Sequence, residues 1–320
     1  EVLAHLPRIY GQYRKLLRAV DEERPEVAIL TDSPDFHLRV ARRLHRLGIP
    51  VIYLIVPQVW AWRKGRLPIM RRILSQVLCI FPFEEKFFRD HNVSATYIGH
   101  PLAGLVRPSC GKPEFFQKHR LPPQRPLIAV LPGSRRGEAA RHLPELLAAV
   151  EILGRKRPAS FVLPASPTTG AAFFRERIGR SAIQVIEGEA WDAIGHSDLA
   201  LAASGTVTVE AALLGTPMVT FYRVNPLSWL VGRLLVRVPF FSMVNLIAGR
   251  KIVPELMQSE MTAARLSDEA GKLLADENLR ERMKRDLAEV AATLSAKGDA
   301  ISRAADVVAS LMEVRVVEAF

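Results

Sequence analysis

Two carboxylates lie three residues apart in Thr31-Asp32-Ser33-Pro34-Asp35-Phe36, just after the apolar run VAIL (27–30). A carboxylate at the carboxyl end of a strand is placed where a general base can take a proton from a bound hydroxyl. On that reading one of Asp32 and Asp35 is catalytic and the other structural. The alternative is a cap, with Asp32 or Ser33 closing the next helix and Pro34 in its first turn.

Two further segments have the composition of phosphate-binding turns. Leu131-Pro132-Gly133-Ser134-Arg135 joins a strand to a helix. Gly133 lets the backbone approach an anion closely, and Arg135 supplies a fixed cation. Ligands of doubly wound sheets collect at such strand ends. The second segment is Ala203-Ser204-Gly205-Thr206-Val207-Thr208-Val209-Glu210. A helix starting here offers free N–H groups and a partial positive charge. Ser204 and Thr206 can cap that helix or bond phosphate oxygens. Glu210, one turn in, would repel a phosphate but can accept bonds from ribose hydroxyls; otherwise it complements the helix dipole. An ordinary strand-to-helix turn explains either segment alone, whereas the pair, with a nearby acid, favours a nucleotide.

Other candidates carry two readings each. Pro57-Gln58-Val59-Trp60-Ala61-Trp62-Arg63-Lys64, followed by Arg66, Arg71 and Arg72, makes a basic aromatic patch. It suits anionic headgroups or a phosphorylated acceptor, or stacked bases, or else one packed Trp beside solvated cations. His100, in Ile98-Gly99-His100-Pro101-Leu102, is an acid, base or ligand contact, or a turn residue. Asn245, in Met243-Val244-Asn245-Leu246, is a satisfied structural amide or a sugar contact. The apolar stretch after Asn225-Pro226 touches acyl chains or packs between domains. No HExxH, CxxC pair or nucleotide-type DxD is present, and no GxxxxGK[ST]. Neither cysteine has a metal-type neighbour in sequence, so no metal or cofactor is expected.

The elements that must hold these residues read as βαβ units. Apolar runs VAIL (27–30), VIYLIV (51–56), QVLCIF (76–81) and ATYIG (95–99) alternate with helical spacing, as at 36–47. The alternation stops in the proline-rich stretch 109–125, which reads as a linker with a short helix at 114–119. It resumes with LIAVLPGS (127–134), SFVLPA (160–165), AIQVIEG (182–188), DLALAASG (198–205) and PMVTFY (217–222). From 262 onward the pattern is helical. The expectation is α/β: two Rossmann-like domains facing a cleft, 1–108 and 126–298, with a C-terminal helix at 299–320 packing back on the first.

Composition sets outer bounds. The chain has 320 residues, 49% hydrophobic and 24% charged, enough for two folded domains. Two cysteines exclude a disulfide framework. No apolar run is long enough to span a membrane. The net charge is +11, and residues 1–125 hold 21 Lys and Arg against 11 Asp and Glu. That excess points to an anionic partner.

In order along the chain, TDSPDF, VPQVWAWRKGR, FPFE, IGHPL, LPGSR, LAASGT, PMVTFYR and NLIAGR resemble the lipid-A-disaccharide synthases, from about residue 2 to about residue 312. The resemblance implies a GT-B fold and an inverting, metal-independent hexosyl transfer. UDP-2,3-diacylglucosamine would be joined to 2,3-diacylglucosamine 1-phosphate, giving the β-1′,6 disaccharide and UDP. It implies a peripheral protein at the cytoplasmic face of the inner membrane, an anionic membrane surface as partner, a possible homodimer and no nucleic acid. By position, Asp32 is similar to the family's candidate base and Arg135 to its essential arginine. Gly133, Ser134, Ser204, Gly205, Thr206 and Glu210 would bind UDP. Arg223 and Asn245 would lie at the donor site, and Asp35, Gln58 and Trp60 on the acceptor side.

The family's opening strand and its GEASGD-type loop have no counterpart here. The expectation is therefore a chain lacking about a sixth of a typical member, on the acceptor side. Three other readings remain: another UDP-sugar enzyme or epimerase of this fold, a non-catalytic membrane-associated binder, and a nucleic-acid binder with salt-sensitive affinity.

Overall fold

The computed structural model describes residues 6–236, 238–295 and 298–318. They form two compact units. The first runs to Gly104 and takes in the C-terminal segment from Leu294; the second comprises 105–234 and 238–293.

The first unit contains α1 (Leu6–Glu23), β1 (Ala28–Thr31), α2 (Pro34–Arg46), β2 (Val51–Leu54), α3 (Val59–Trp62), α4 (Leu67–Ile73), β3 (Gln76–Cys79), α5 (Pro82–Asp90) and β4 (Ala95–Tyr97). Its four strands are parallel, in the order β1-β2-β3-β4. Val51, Ile52 and Tyr53 are wholly buried, as the unbroken apolar run requires of a strand covered on both faces. Val40, Ala41 and Leu44 of α2 cover this sheet, with Met70 and Phe88 in the same core. α2 starts with Pro34 at its first position. It stops at Gly48, whose φ of 71° lets the chain reverse while Ile49 N–H bonds back to Leu44 O.

The second unit begins at Leu105 and includes the proline-rich stretch 109–125. α6 (Lys112–Lys118) buries Phe115 and Phe116. There follow β5 (Leu127–Leu131), α7 (Arg136–Lys156), β6 (Ser160–Ala165), α8 (Ala171–Ile178), β7 (Ile183–Glu187), α9 (Ala190–Gly195), β8 (Leu199–Ala203), α10 (Thr206–Leu213), β9 (Met218–Tyr222), α11 (Pro226–Leu235), α12 (Met243–Ala248), β10 (Glu255–Met257), α13 (Ala263–Ala275) and α14 (Glu277–Ser295). α15 (Ala300–Glu318) belongs with the first unit.

The six strands of this sheet are parallel, in the order β10-β9-β8-β5-β6-β7. Chain order runs outward in both directions from β5. The direction of winding therefore reverses between β5 and β8, and ligand crevices of open α/β sheets form at such a reversal.

Candidate active site

In the second unit the two phosphate-type segments stand side by side. β5 and β8 pair directly, with Leu131 opposite Ala202, so the turns that follow both leave the same edge of the sheet. α7 and α10 both start there, and neither has a side-chain cap. Their first N–H groups form two partial positive ends at the reversal point.

The turn after β5 is braced on several sides. Gly133 has φ 112°, a conformation that favours glycine. The Ser134 carbonyl accepts hydroxyl bonds from Thr169 at 2.6 Å and Ser166 at 3.2 Å, tying it to the loop after β6. His142, fully buried on α7, joins the turn to the end of β9. Its Nε2 accepts from Arg223 N–H at 3.0 Å, so its Nδ1 carries the proton donated to Pro132 O at 2.8 Å. Burial pushes its pKa down and keeps the ring neutral. The Arg135 side chain is exposed and makes no hydrogen bond or ion pair among the described residues. It remains available to an anion.

Several residues expected at the site have partners of their own within this unit. The Ser204 hydroxyl donates to Phe241 O at 2.8 Å, and the residue preceding α10 is Gly205, so neither Ser204 nor Thr206 caps the helix. Arg223 binds the Glu145 carboxylate and the carbonyls of Gln258 and Met261, which tie the end of β9 to α7 and to the 258–261 segment. Asn245 is 0% exposed. Its amide donates to Val253 O and Glu255 Oε1, and its oxygen accepts from Ile252 and Val253 N–H. All its bonding capacity is used inside the unit, so it is the structural amide of the two readings. Glu210 is half-buried; burial raises its pKa against the opposing bond from the Trp191 indole.

In the first unit, Asp32 closes β1 and Asp35 opens α2. No side chain caps α2, which removes the capping reading of Asp32 and Ser33. The two carboxylates differ sharply. Asp35 is paired with Arg63 at 3.0 Å and with Arg66. The Asp32 carboxylate has no hydrogen bond or ion pair among the described residues. Gln58 is exposed at the start of α3. Trp60 is buried, and its indole donates to Glu84 Oε1 at 3.0 Å. Glu84 also accepts from Phe81 N–H at 3.1 Å, and burial pushes its pKa up to about 7. His100 is buried and neutral, pushed down to about 4 by desolvation, with its Nδ1 accepting from Leu102 N–H. It is a turn residue. Trp62 is exposed, with the Arg63 guanidinium 3.9 Å from its ring centre.

Sequence distance hid one cluster. Cys110, Asp192 and His196 bring their ligand atoms within 4.8 Å of one another, although neither cysteine has such a neighbour in sequence. The Asp192 carboxylate is filled by Ser109 N–H (2.7 Å), Ser109 Oγ (2.9 Å), Cys110 N–H (3.1 Å) and the thiol. His196 Nε2 donates to Cys110 O at 2.9 Å. These bonds latch the 105–111 segment to α9. Cys79 is buried among apolar neighbours.

A parallel sheet in each of two units, with uncapped helices and an unpaired arginine at the reversal point of the second, defines an α/β protein of the GT-B class. Two solved structures share this fold. One is a UDP-GlcNAc 2-epimerase from Neisseria meningitidis bound to UDP-GlcNAc: TM-score 0.63, 11% identity, 90% of this chain and 79% of that one. The other is the glycotransferase of kitacinnamycin: TM-score 0.63, 17% identity, 96% and 81%. Both show likeness of fold alone. A family model described as lipid-A-disaccharide synthetase matches residues 1–309. The lipid-A-disaccharide synthase of Solibacter usitatus is 64% identical over 313 residues, 98% of this chain and 82% of its own length. The chain belongs to the lipid-A-disaccharide synthetase family of glycosyltransferases.

Proposed function

We propose that the protein transfers a 2,3-diacylglucosaminyl group from its UDP derivative to the 6-hydroxyl of 2,3-diacylglucosamine 1-phosphate, with inversion. One observation carries the chemical reading: the unpaired Arg135 stands beside two uncapped helix N-termini at the point where the second sheet reverses. That is an arrangement suited to a departing diphosphate. Asp32 removes the acceptor hydroxyl proton, and the oxygen attacks the anomeric carbon. The bond from that carbon to the diphosphate oxygen breaks, and UDP leaves with the electron pair against Arg135 and the helix N–H groups. Glu210 is a candidate partner for the ribose hydroxyls. The unpaired state of Asp32, against the doubly paired state of Asp35, supports Asp32 as the base.

The assay is UDP release with both acylated sugars present. One UDP per disaccharide is expected. UDP binding without disaccharide would leave a non-catalytic binder and reject the transferase reading.

Acylated substrates also require a membrane surface. No helix among the described residues is long and apolar enough to cross one. Exposed Trp62, Leu230, Leu235 and Phe241, with the cationic excess of residues 1–125, support peripheral contact with anionic lipid. Sedimentation with phosphatidylglycerol vesicles, lost in 1 M salt, tests this.

A further inference from the structure

Asp32 and Ser33 are consecutive non-glycine residues in the left-handed region, with φ 56° and 40°. L-residues adopt that region only when their surroundings enforce it. No side chain caps α2, and Pro34 has no N–H to offer. The Ser33 carbonyl accepts the first helical N–H groups, from Phe36 and His37, and the side-chain contacts that hold the turn meet on the Asp32 carbonyl oxygen. It accepts the Tyr53 hydroxyl at 2.5 Å and His37 Nδ1–H at 2.8 Å. A carbonyl only accepts, so in this contact the His37 Nδ1 carries a hydrogen and donates it.

The two donors come from different elements. Tyr53 is 0% exposed in the middle of β2, where its backbone pairs with Leu30, and its ring has little room to move. His37 lies in the first turn of α2, its ring edge-on to Phe36 with centres 5.2 Å apart. The Asp32 side chain leaves from the same residue whose carbonyl is gripped. Fixing the carbonyl in a left-handed turn therefore fixes the direction of the Cα–Cβ bond, and with it the point from which the carboxylate is presented. The carboxylate has no hydrogen-bond partner of its own among the described residues to do this.

We propose that Tyr53 and His37 are positioning residues that aim the Asp32 carboxylate by clamping its backbone carbonyl. This rests on the reading of Asp32 as the base. Tyr53→Phe keeps the ring and deletes one donor. His37→Ala deletes the other, and His37→Asn retains an N–H near the position of Nδ1.

Misaimed catalytic groups cost on the order of ten- to a hundred-fold in turnover. Tyr53→Phe and His37→Ala should each lower kcat by about that factor, with KM for the donor and UDP affinity unchanged. His37→Asn should recover most of the loss. In an Asp32→Ala background, Tyr53→Phe should change the residual rate no further.

Wild-type kcat in both Tyr53→Phe and His37→Ala, with Asp32→Ala inactive, would overturn the clamp and leave the base assignment standing. Full turnover by Asp32→Ala would overturn the base assignment and the clamp with it. A fall in UDP affinity matching the fall in kcat, without rescue by His37→Asn, would make the contacts general scaffolding and overturn the proposal.

Discussion

Glu138 lies over the Cα of Gly133: a Cβ built on that glycine would stand 2.6 Å from Glu138 Oε2. Burial, with the Glu138 carboxylate nearby, raises the pKa of the Tyr222 hydroxyl at the end of β9. The glycine therefore serves two needs, its own φ of 112° and the room for this carboxylate.

Gly133→Ala should displace Glu138 and strain the turn. An L-residue held in an unfavourable backbone region costs about 1–3 kcal/mol. Urea unfolding should report that loss, and UDP affinity should fall with it. Unchanged stability and affinity would mean the turn can relax without consequence.

Arg135→Ala should behave oppositely. With no side-chain partner among the described residues, its removal should alter stability by less than about 0.5 kcal/mol. A charge-assisted bond to a diphosphate is worth about 1.5–3 kcal/mol, or roughly ten- to a hundred-fold in affinity. Calorimetric titration with UDP separates the two effects; normal affinity would remove Arg135 from the site.

Glu84 should titrate close to neutrality. Burial holds its carboxyl protonated up to about pH 7, against the opposing bonds from Trp60 and Phe81. Its folded pKa lies above the unfolded value of about 4.3. Stability from this group is thus full below that value and is lost as pH rises through about 7. Because Trp60 N–H points at Glu84, its fluorescence should change with a midpoint near 7. Trp60→Phe should abolish that transition, and Glu84→Gln should flatten it. A featureless profile between pH 5.5 and 8 in the parent protein would refute it.

His142 gives the opposite pH dependence. Burial lowers the pKa of its folded ring, so that ring takes up a proton at a lower pH than the unfolded one. The unfolded ring takes up a proton below about pH 6.5. The unfolded state then binds more protons, so stability falls as pH drops below that value. Unfolding at pH 7.5 and pH 5 should show a loss in the parent that is smaller in His142→Gln, which can still donate to Pro132 and accept from Arg223. An equal loss in both would assign the effect to other groups.

Much of this protein is legible in the amino-acid order alone. Runs such as LIAVL, SFVLPA and MVTFY are apolar at all or nearly all positions, the composition of a strand buried on both faces. The phosphate-type turns are legible for the same local reason: glycine, small hydroxyls and a cation must fall where a strand hands over to a helix. β10 does not show in the amino-acid order, because Glu255–Met257 is three residues long and takes its identity from its neighbour β9. The expected elements also include no helix at α1, Leu6–Glu23.

What a side chain does once folded is another matter. Asn245, Arg223 and Trp60 read in sequence as ligand contacts, and tertiary packing gives each one internal partners that no sequence pattern announces. Asp192 and Cys110 are 82 positions apart and meet only because α9 lies against the 105–111 segment. Asp32 and Asp35 look equivalent in sequence, and only the fold separates them. Arg63 and Arg66 reach Asp35, while Tyr53 and His37 grip the Asp32 backbone and leave its carboxylate bare. Hydrophobic periodicity is written along the chain, whereas hydrogen-bond partners are chosen by proximity in space, and that proximity exists only after folding.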